Sequence, residues 1–251
     1  MLDFYSELKK ELGLMDAAIE YLEFSVRYVE KNSTNLKEDI KSTGINLNDT
    51  EIKNIKQKPY SMYILSLYGV FDKFITEYRR VLEDVLHYQV KDYKNKSKLE
   101  MVLDCLSEEN SEIISKLKSS LAYKGMEYYR SFRNTMAHPE SDTSKKFQEC
   151  TNLYFSATEW ANPDFSKYTV TKEEIVFDDV NLFSKFIRDI SDRLIDIIKD
   201  KKKILVHSLD FRKLNRYSNN KARFKQGVIQ KIMTDLCLKK ADALFLSNEI
   251  C

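Results

Sequence analysis

Three side chains in the run YRSFRNTMAHP, residues 129–139, have the types that chemistry on a phosphate group needs. Arg133 is a permanent cation whose planar donors suit phosphate oxygens, and His138 can exchange protons near neutral pH. On a helix, Asn134 and His138 are four residues apart and share a face. Pro139 disfavours the α conformation at His138, so we expect the helix to end there. The three residues predict a catalytic site directed at a phosphate.

Two neighbouring side chains are predicted to bind the substrate. Arg130 lies three residues before Arg133 and is placed to supply a further phosphate contact. Tyr129 lies next to it, and aromatic rings can stack on unpaired RNA bases. The alternatives stay open at this point: a surface arginine for Arg130, and a core aromatic for Tyr129.

The sequence lacks the phosphate-binding loop, dinucleotide, zinc-protease and serine-hydrolase signatures. With three histidines, a His-based zinc site is not favoured, and we expect neither a metal nor a cofactor. Arg80 and His87 also stand at arginine–histidine spacing, but they lie in an apolar-periodic segment with acidic residues between them. We interpret that pair as structural. The four cysteines form no C-x-x-C pair and are predicted to be reduced thiols.

The elements that must position these residues are helices. Apolar residues at alternating three- and four-residue steps predict helices over about 2–29, 59–87, 99–106, 111–138, 179–197 and 222–246. Asp178 or Asp179 is predicted to be the N-cap of the fifth helix. The run ESDTSKKFQECTN after Pro139 is predicted to be a loop, and FSKYTV and EEIVF to pair as a short β-hairpin within 165–177.

These elements predict an all-α protein, an up-and-down helical bundle over residues 1–200 with a basic C-terminal helical extension over 201–251. Five Gly and three Pro in 251 residues leave too little turn chemistry for a many-stranded sandwich or barrel. Between Asp200 and Lys240 there are 12 basic and three acidic residues, a local charge of +9 within a chain whose net charge is +2. Such a stretch either faces phosphates or forms a solvated helix face.

The run RNTMAH at a helix end resembles the R-x4-6-H signature of the HEPN superfamily, whose members often carry Asn directly after the Arg. The bundle and the long tyrosine-bearing segment LYGVFDKFITEYRR fit the same family. The chain is most similar to the stand-alone HEPN groups typed by a cyanobacterial protein and by the RiboL-PSP-associated domain. It departs from the frequent A-H-G ending, because Pro139 follows His138.

The resemblance implies a metal-independent endoribonuclease with a composite site formed by two protomers of a homodimer. His138 would act as the general acid or base, Arg133 would stabilise charge on the phosphoryl oxygens, and Asn134 would orient either of them. The products would be a 2′,3′-cyclic phosphate and a 5′-hydroxyl. Asp72 corresponds to a place where some branches keep an acidic residue that faces the site. Asp142 occupies the position of a tyrosine that is modified in some HEPN toxins.

The function so implied is that of a toxin or antiviral-defence effector that cleaves RNA, with an antitoxin or a defence-system protein as a partner. One alternative is a catalytically inactive HEPN-like module for dimerisation or RNA binding. Another is a helical scaffold in which Arg133 and His138 cap a helix. The N-terminal residues show no signal-peptide pattern and no apolar run reaches 18 residues, so we expect a cytoplasmic protein without membrane contact.

Overall fold

The computed structural model describes residues 2–45, 58–137, 144–172, 174–217, 219–236, 240–248 and 250. In these residues the chain is all-α, a helical bundle without β-strands. The α-helices of this part of the chain are α1 Asp3–Asn32, α2 Leu36–Ser42, α3 Lys58–Arg80, α4 Lys98–Ser119, α5 Leu121–Ala137, α6 Ser144–Phe155, α7 Pro163–Ser166, α8 Phe177–Lys199, α9 Lys202–His207, α10 Lys221–Asp235 and α11 Lys240–Ser247.

Shorter helical turns join some of these elements. A π-helical turn, Val81–Val85, continues α3, and the chain then leaves the helix through His87, whose φ is +58°. Two 3₁₀ turns, Thr158–Ala161 and Arg212–Tyr217, precede α7 and α10.

The predictions for the long amphipathic helices α1, α3 and α8 are confirmed. The third and fourth predicted helices differ from the structure, because α4 runs through both and is bent at Asn110, whose φ and ψ are −129° and 39°. The separation lies instead at Ser120. Its hydroxyl accepts a hydrogen bond from the backbone N–H of Tyr123, 3.3 Å away, as an N-cap residue does, so the helix that carries the motif begins at Leu121.

The run after Pro139 is not a loop throughout, because Ser144–Phe155 forms α6. Its apolar face is narrow, and the sequence pattern around it is mostly polar. Tyr154 is fully buried and stacks on Tyr128 of α5, with 4.8 Å between ring centroids. Packing against α5, rather than a clear period of apolar residues, therefore accounts for this helix.

The predicted β-hairpin within 165–177 is wrong in the part that the structure describes, residues 165–172 and 174–177. These residues form the end of α7, a bend and the start of α8. In a β-hairpin, backbone N–H groups donate to carbonyls of the facing strand. Here two of these N–H groups donate instead to carboxylates in the first turn of α8. Asp178 accepts from the N–H of Thr169 at 2.6 Å, and Asp179 accepts from the N–H of Val176 at 2.9 Å. Both aspartates lie inside α8 rather than at its N-cap.

The C-terminal helix predicted over 222–246 is two helices, α10 and α11. The backbone N–H of Leu2 donates to the carbonyl of Asp235 at 2.6 Å, so the end of α10 holds the start of the chain. In the described residues, no helix combines the length and the apolar character that a membrane span requires.

The chain divides into two compact units. The first unit comprises residues 1–10, 72–115 and 191–251, and the second comprises 11–71 and 116–190. Four helices, α1, α3, α4 and α8, contribute residues to both units. The domain division predicted at residue 200 stays a prediction.

Each unit has its own aromatic core. In the first unit, Phe74 lies 6.0 Å from Tyr78 between ring centroids, and the hydroxyl of Tyr78 donates to the carbonyl of Leu194 at 2.8 Å. In the second unit, the core is built from Tyr128 and Tyr129 of α5, Tyr154 of α6 and Phe183 of α8. The second unit contains the residues of the predicted site that the structure describes.

Candidate functional site

Helix α5, Leu121–Ala137, presents the motif residues at its C-terminal end. Its first three turns are anchored by buried side chains, and Arg133 and Asn134 lie in the last turn, partly exposed. His138 follows directly in the sequence but lies outside the described residues, as do Pro139 and Asp142. The predicted approach of His138 to Arg133 and Asn134 therefore stays a prediction.

The structure brings Arg133 and Asn134 together. Nη1 of Arg133 donates a hydrogen bond to Oδ1 of Asn134 across 3.1 Å. The guanidinium also lies over the ring of Tyr68 on α3, with 5.7 Å between Cζ and the ring centroid. Within the described part of the chain, Arg133 forms no ion pair. The guanidinium is therefore oriented by an amide and an aromatic face while its charge stays uncompensated there.

Tyr68 is the contributor to this site that sequence reasoning missed. It lies in the segment that carried the family resemblance, but no local spacing links it to Arg133, because the two residues are on different helices. An arginine over an aromatic ring is a contact that only the packing of α3 against α5 creates.

Asn134 uses its carboxamide oxygen for Arg133. Its Nδ2 hydrogens are then the donors it can direct to a phosphate oxygen or to an imidazole. The predicted orienting role of Asn134 agrees with this chemistry and stays a prediction.

Arg130 is not placed as a further phosphate contact in this structure. Its guanidinium pairs with the carboxylate of Glu127, one turn earlier, at 2.5 Å. The exposed fractions of the two side chains are only 13% and 17%. Burial lowers the pKa of Arg130, but the hydrogen bonds and charge of Glu127 outweigh it and raise that pKa. The charge of Arg130 is thus neutralised within α5.

The prediction that Tyr129 binds substrate is wrong for this conformation, because the side chain is fully buried. Its ring packs against Tyr128 and Phe183, with centroid distances of 4.9 and 4.6 Å, and its hydroxyl donates to Oδ1 of Asp179 at 2.8 Å. No face is left on which a base could stack. The alternative of a core aromatic is the one that holds.

The carboxylate of Asp179 is fully buried. Burial raises the pKa of Asp179 to about 6, although the hydrogen bonds from the N–H of Val176 and from Tyr129 act in the opposite direction. Burial likewise raises the pKa of Tyr129 well above its ordinary value. The pair links α8 to α5 one turn before Arg133, so it helps to fix the helix that presents the site.

Asp72 belongs to the first unit, where its carboxylate accepts from Nζ of Lys98 at 2.7 Å. It has a cationic partner on α4, as a surface ion pair would. The suggestion that it faces the site stays a prediction.

The basic stretch near the C-terminus contains two kinds of cation. Lys201 and Lys202, at the start of the stretch, are paired with Glu109 at 2.6 Å and with Asp242 at 3.0 Å. Arg212 is likewise paired with Asp210 at 2.7 Å. These cations are largely neutralised within the protein.

A second group of cations has no carboxylate partner among the described residues. We call it the Tyr217 cluster, and it consists of Lys213, Arg216, Tyr217, Lys221 and Arg223. The Cζ atoms of Arg216 and Arg223 lie 4.7 and 5.0 Å from the centroid of the Tyr217 ring. In the described residues, none of the four cations forms an ion pair. Arg216 and Arg223 thus flank one aromatic ring, and Lys213 and Lys221 lie close to them in the sequence. Unpaired cations grouped in this way form a surface that attracts polyanions.

Comparisons of the chain with protein-family models, with curated proteins and with solved structures find no match. The resemblance to HEPN proteins therefore depends on the motif residues and the helical architecture alone.

Proposed function

We propose that this protein is a metal-independent endoribonuclease of HEPN type that cleaves RNA through Arg133, Asn134 and His138. The observation that carries the proposal is the state of Arg133. It is held in place by Tyr68 and Asn134 at the end of α5, and within the described residues no carboxylate neutralises it. A guanidinium so placed is ready to bind a phosphate.

The other arginines show how unusual this environment is. Six arginines of the described chain are paired with carboxylates, namely Arg27, Arg79, Arg80, Arg130, Arg188 and Arg212. Arg133 instead lies against an aromatic ring, as do Arg216 and Arg223. Within the part of the chain that the structure describes, those six arginines have an acidic partner and these three have none.

In the proposed reaction, the 2′-oxygen of a ribose attacks the adjacent phosphorus. The bond from the 2′-oxygen to phosphorus forms and the bond from phosphorus to the 5′-oxygen breaks. His138 takes the proton of the 2′-hydroxyl or gives a proton to the leaving 5′-oxygen, which is general acid–base catalysis near neutral pH. In a composite site of two protomers, the two imidazoles divide these roles. Arg133 stabilises the negative charge that grows on the non-bridging oxygens, and the products are a 2′,3′-cyclic phosphate and a 5′-hydroxyl.

We further propose that the enzyme is a toxin or antiviral-defence effector, restrained by an antitoxin or a defence-system protein. An enzyme that cleaves cellular RNAs harms the cell that makes it, so such a cell must hold it in check. This role rests on the ribonuclease proposal and on the resemblance, and it is tested by the effect of expression on cell growth.

A second candidate function is that of a catalytically inactive module that binds RNA. The Tyr217 cluster favours this alternative, because it offers four cations to a phosphate backbone and lies in the first unit, whereas Arg133 lies in the second. The two functions differ in what happens to bound RNA.

The deciding experiment incubates wild type and His138→Ala with total tRNA and a structured mRNA in EDTA, followed by analysis of the RNA ends. We expect cleavage by the wild type, with cyclic phosphate and 5′-hydroxyl ends, and none by His138→Ala or Arg133→Gln. His87→Asn is the matched control, since it removes an exposed histidine while asparagine tolerates the positive φ of that position. RNA binding without cleavage in every variant would support the binding module. Cleavage that persists in His138→Ala would place the site elsewhere.

A further inference from the structure

The outer face of α1 carries an apolar stripe, which we call the α1 seam. Its members are Leu14, Ala17, Tyr21, Phe24 and Tyr28. The four large side chains have exposed fractions of 64%, 73%, 63% and 59%, in chain order. At about 100° per residue, the five positions fall within a sector of about 80°. Buried residues of the same helix, such as Leu12 and Ile19, point to the opposite side.

The spacing of the α1 seam indicates what kind of surface it fits. Its members follow one another at steps of three, four, three and four residues, which is the spacing of a coiled-coil stripe. The stripe is about 21 Å long at 1.5 Å per residue. Contiguous exposed apolar surface of this kind marks an interaction site in a water-soluble protein. The complementary surface is another helix with an equivalent stripe.

Charges beside the α1 seam identify that helix. Glu20 and Arg27 are seven residues apart and lie along the same edge of the seam, both exposed. The opposite edge carries Ala18 and Ser25. In a parallel pair the charged edge of each helix would face the uncharged edge of the other. In an antiparallel pair the two charged edges face each other, which places opposite charges together.

We propose that the α1 seam binds the same seam of a second copy, antiparallel, about a two-fold axis that passes between Tyr21 and Phe24. Tyr21 then packs against the partner's Phe24. Glu20 lies beside the partner's Arg27, with an offset of about 3 Å along the helix axis. Because the interface is isologous, each contact occurs twice. The self-complementary charge pattern selects a second copy over an unrelated helix.

One side of this charge pair is already ordered. Arg27 donates to Glu23 at 2.6 Å, and Glu23 in turn accepts from the hydroxyl of Tyr60 at 2.5 Å. The guanidinium keeps an exposed fraction of 70%, so it can accept a second carboxylate while its position is held. Since fewer rotamers must be fixed on association, the entropic cost of forming the pair is reduced.

The size of the α1 seam predicts a dimer that depends on concentration. If each large side chain buries on the order of 100 Å², the large side chains of two seams bury roughly 800 Å² in total, which is in the range of weak, transient interfaces. The inference goes beyond ribonuclease activity and does not depend on it, because the seam excludes Arg133 and Asn134.

The test is sedimentation velocity of the full-length protein over a range of concentrations. We expect a monomer–dimer equilibrium whose dissociation constant rises at least about tenfold in Tyr21→Ala/Phe24→Ala. Leu153→Ala, which removes an exposed side chain from α6, is the matched control and leaves the equilibrium unchanged. Glu20→Arg and Arg27→Glu each weaken the dimer about tenfold, whereas Glu20→Arg/Arg27→Glu returns it to within about threefold of wild type.

Four results would overturn the inference. The first is a wild type that stays monomeric up to about 100 µM. The second is a dimer that is insensitive to the seam substitutions. The third is a failure of the double charge reversal to restore what the single reversals lose. If seam variants lower the melting temperature as strongly as a core substitution, the seam is covered within the chain and the inference also fails. The RNA cleavage assay is scored separately, so a failed dimer and a failed ribonuclease can be distinguished.

Discussion

The hydroxyl of Tyr129 donates a hydrogen bond to Oδ1 of Asp179 across 2.8 Å, and both side chains are completely buried. The bond joins α5 to α8 in the second unit. Tyr129 precedes Arg133 by one helical turn, so this bond sets the rotation at which α5 presents its last turn. A polar pair in an apolar core thus supports the helix end that carries the candidate site.

The first prediction concerns the pH dependence of stability. Because the pKa of Asp179 is raised to about 6 in the folded protein, the folded state binds a proton more tightly than the unfolded state does. The contribution of Asp179 is therefore fully present below the unfolded pKa of about 4 and is lost as pH rises through about 6, a change of about 3 kcal/mol. In Asp179→Asn this loss disappears.

Denaturant unfolding of wild type and Asp179→Asn, at steps of pH from about 4 to about 7, measures the difference. The free energy of unfolding of the wild type, taken relative to the variant, should fall across this range. Parallel pH profiles for the two proteins would contradict the prediction.

The second prediction is that Tyr129→Phe destabilises the fold without a specific effect on RNA binding. It removes the donor to Asp179 and leaves a buried carboxylate oxygen with one partner fewer, which costs about 1–3 kcal/mol. Tyr128→Phe, on the neighbouring residue of the same cluster, is the control and costs less. If Tyr129→Phe kept full stability but lost RNA affinity, its assignment to the core would be wrong.

The third prediction compares two helical glycines, one with crowded surroundings and one with open space beside it. A Cβ at Gly125 would lie 2.3 Å from Cε2 of Phe186 and 3.2 Å from a ring carbon of Tyr154, whereas one at Gly69 would meet nothing within 4 Å. Gly125→Ala should therefore destabilise the protein by about 1–3 kcal/mol. Gly69→Ala should stabilise it by about 0.5–1 kcal/mol through helix propensity. Thermal unfolding of the two variants should shift in opposite directions, and shifts of the same sign would refute the packing argument.

The fourth prediction is that Tyr68 acts as a positioning residue for Arg133. Tyr68→Leu removes the aromatic face and should lower the rate of RNA cleavage about two- to fivefold, in line with a partly exposed cation–π contact. Tyr68→Phe keeps the face and should retain the wild-type rate. Single-turnover cleavage separates this effect from RNA affinity. Equal loss in both variants would indicate that the hydroxyl, not the ring, is what matters.

The fifth prediction separates the two groups of C-terminal cations. Arg216→Gln/Arg223→Gln should lower the salt dependence of RNA affinity by about 1.4 in the slope of log K against log salt, about 0.7 per charge. Lys201→Gln/Lys202→Gln should have a smaller effect, because those lysines are already paired with carboxylates. Lys91→Gln/Lys94→Gln, two exposed lysines elsewhere in the first unit, serve as the control. Fluorescence anisotropy with labelled single-stranded RNA in the His138→Ala background gives the slopes. Equal slopes for all variants would exclude the Tyr217 cluster as an RNA-binding surface.

Much of the fold was predictable because α1, α3 and α8 carry long, regular apolar stripes. The errors occurred where local pattern and tertiary packing disagree. Helix α6 has few apolar residues in a polar run, and its formation depends on the burial of Tyr154 against α5. The hairpin residues have β propensity, but the carboxylates of Asp178 and Asp179 bind their backbone donors.

The site was predictable only in part, for a related reason. The proximity of Arg133 and Asn134 follows from adjacency on one helix. The pairing of Arg130 with Glu127 could also have been predicted, because ion pairs between residues i and i+3 of a helix are local. The burial of Tyr129 and the contact of Tyr68 with Arg133 depend on which helices are neighbours, and a single stripe pattern does not contain that information.

The first unit is assembled from segments that are far apart in the sequence, and this affects how the chain folds during synthesis. This unit combines residues 1–10 with residues 72–115 and 191–251, and the backbone of Leu2 is held by Asp235. During translation, the apolar residues at the start of α1 therefore emerge long before the segments that cover them have been synthesised. Phe74 of α3 contacts Phe4 and Tyr5, but the contact with α10 forms only near the end of synthesis. Part of this apolar surface therefore stays uncovered on the nascent chain for most of translation, which favours binding by ribosome-associated chaperones.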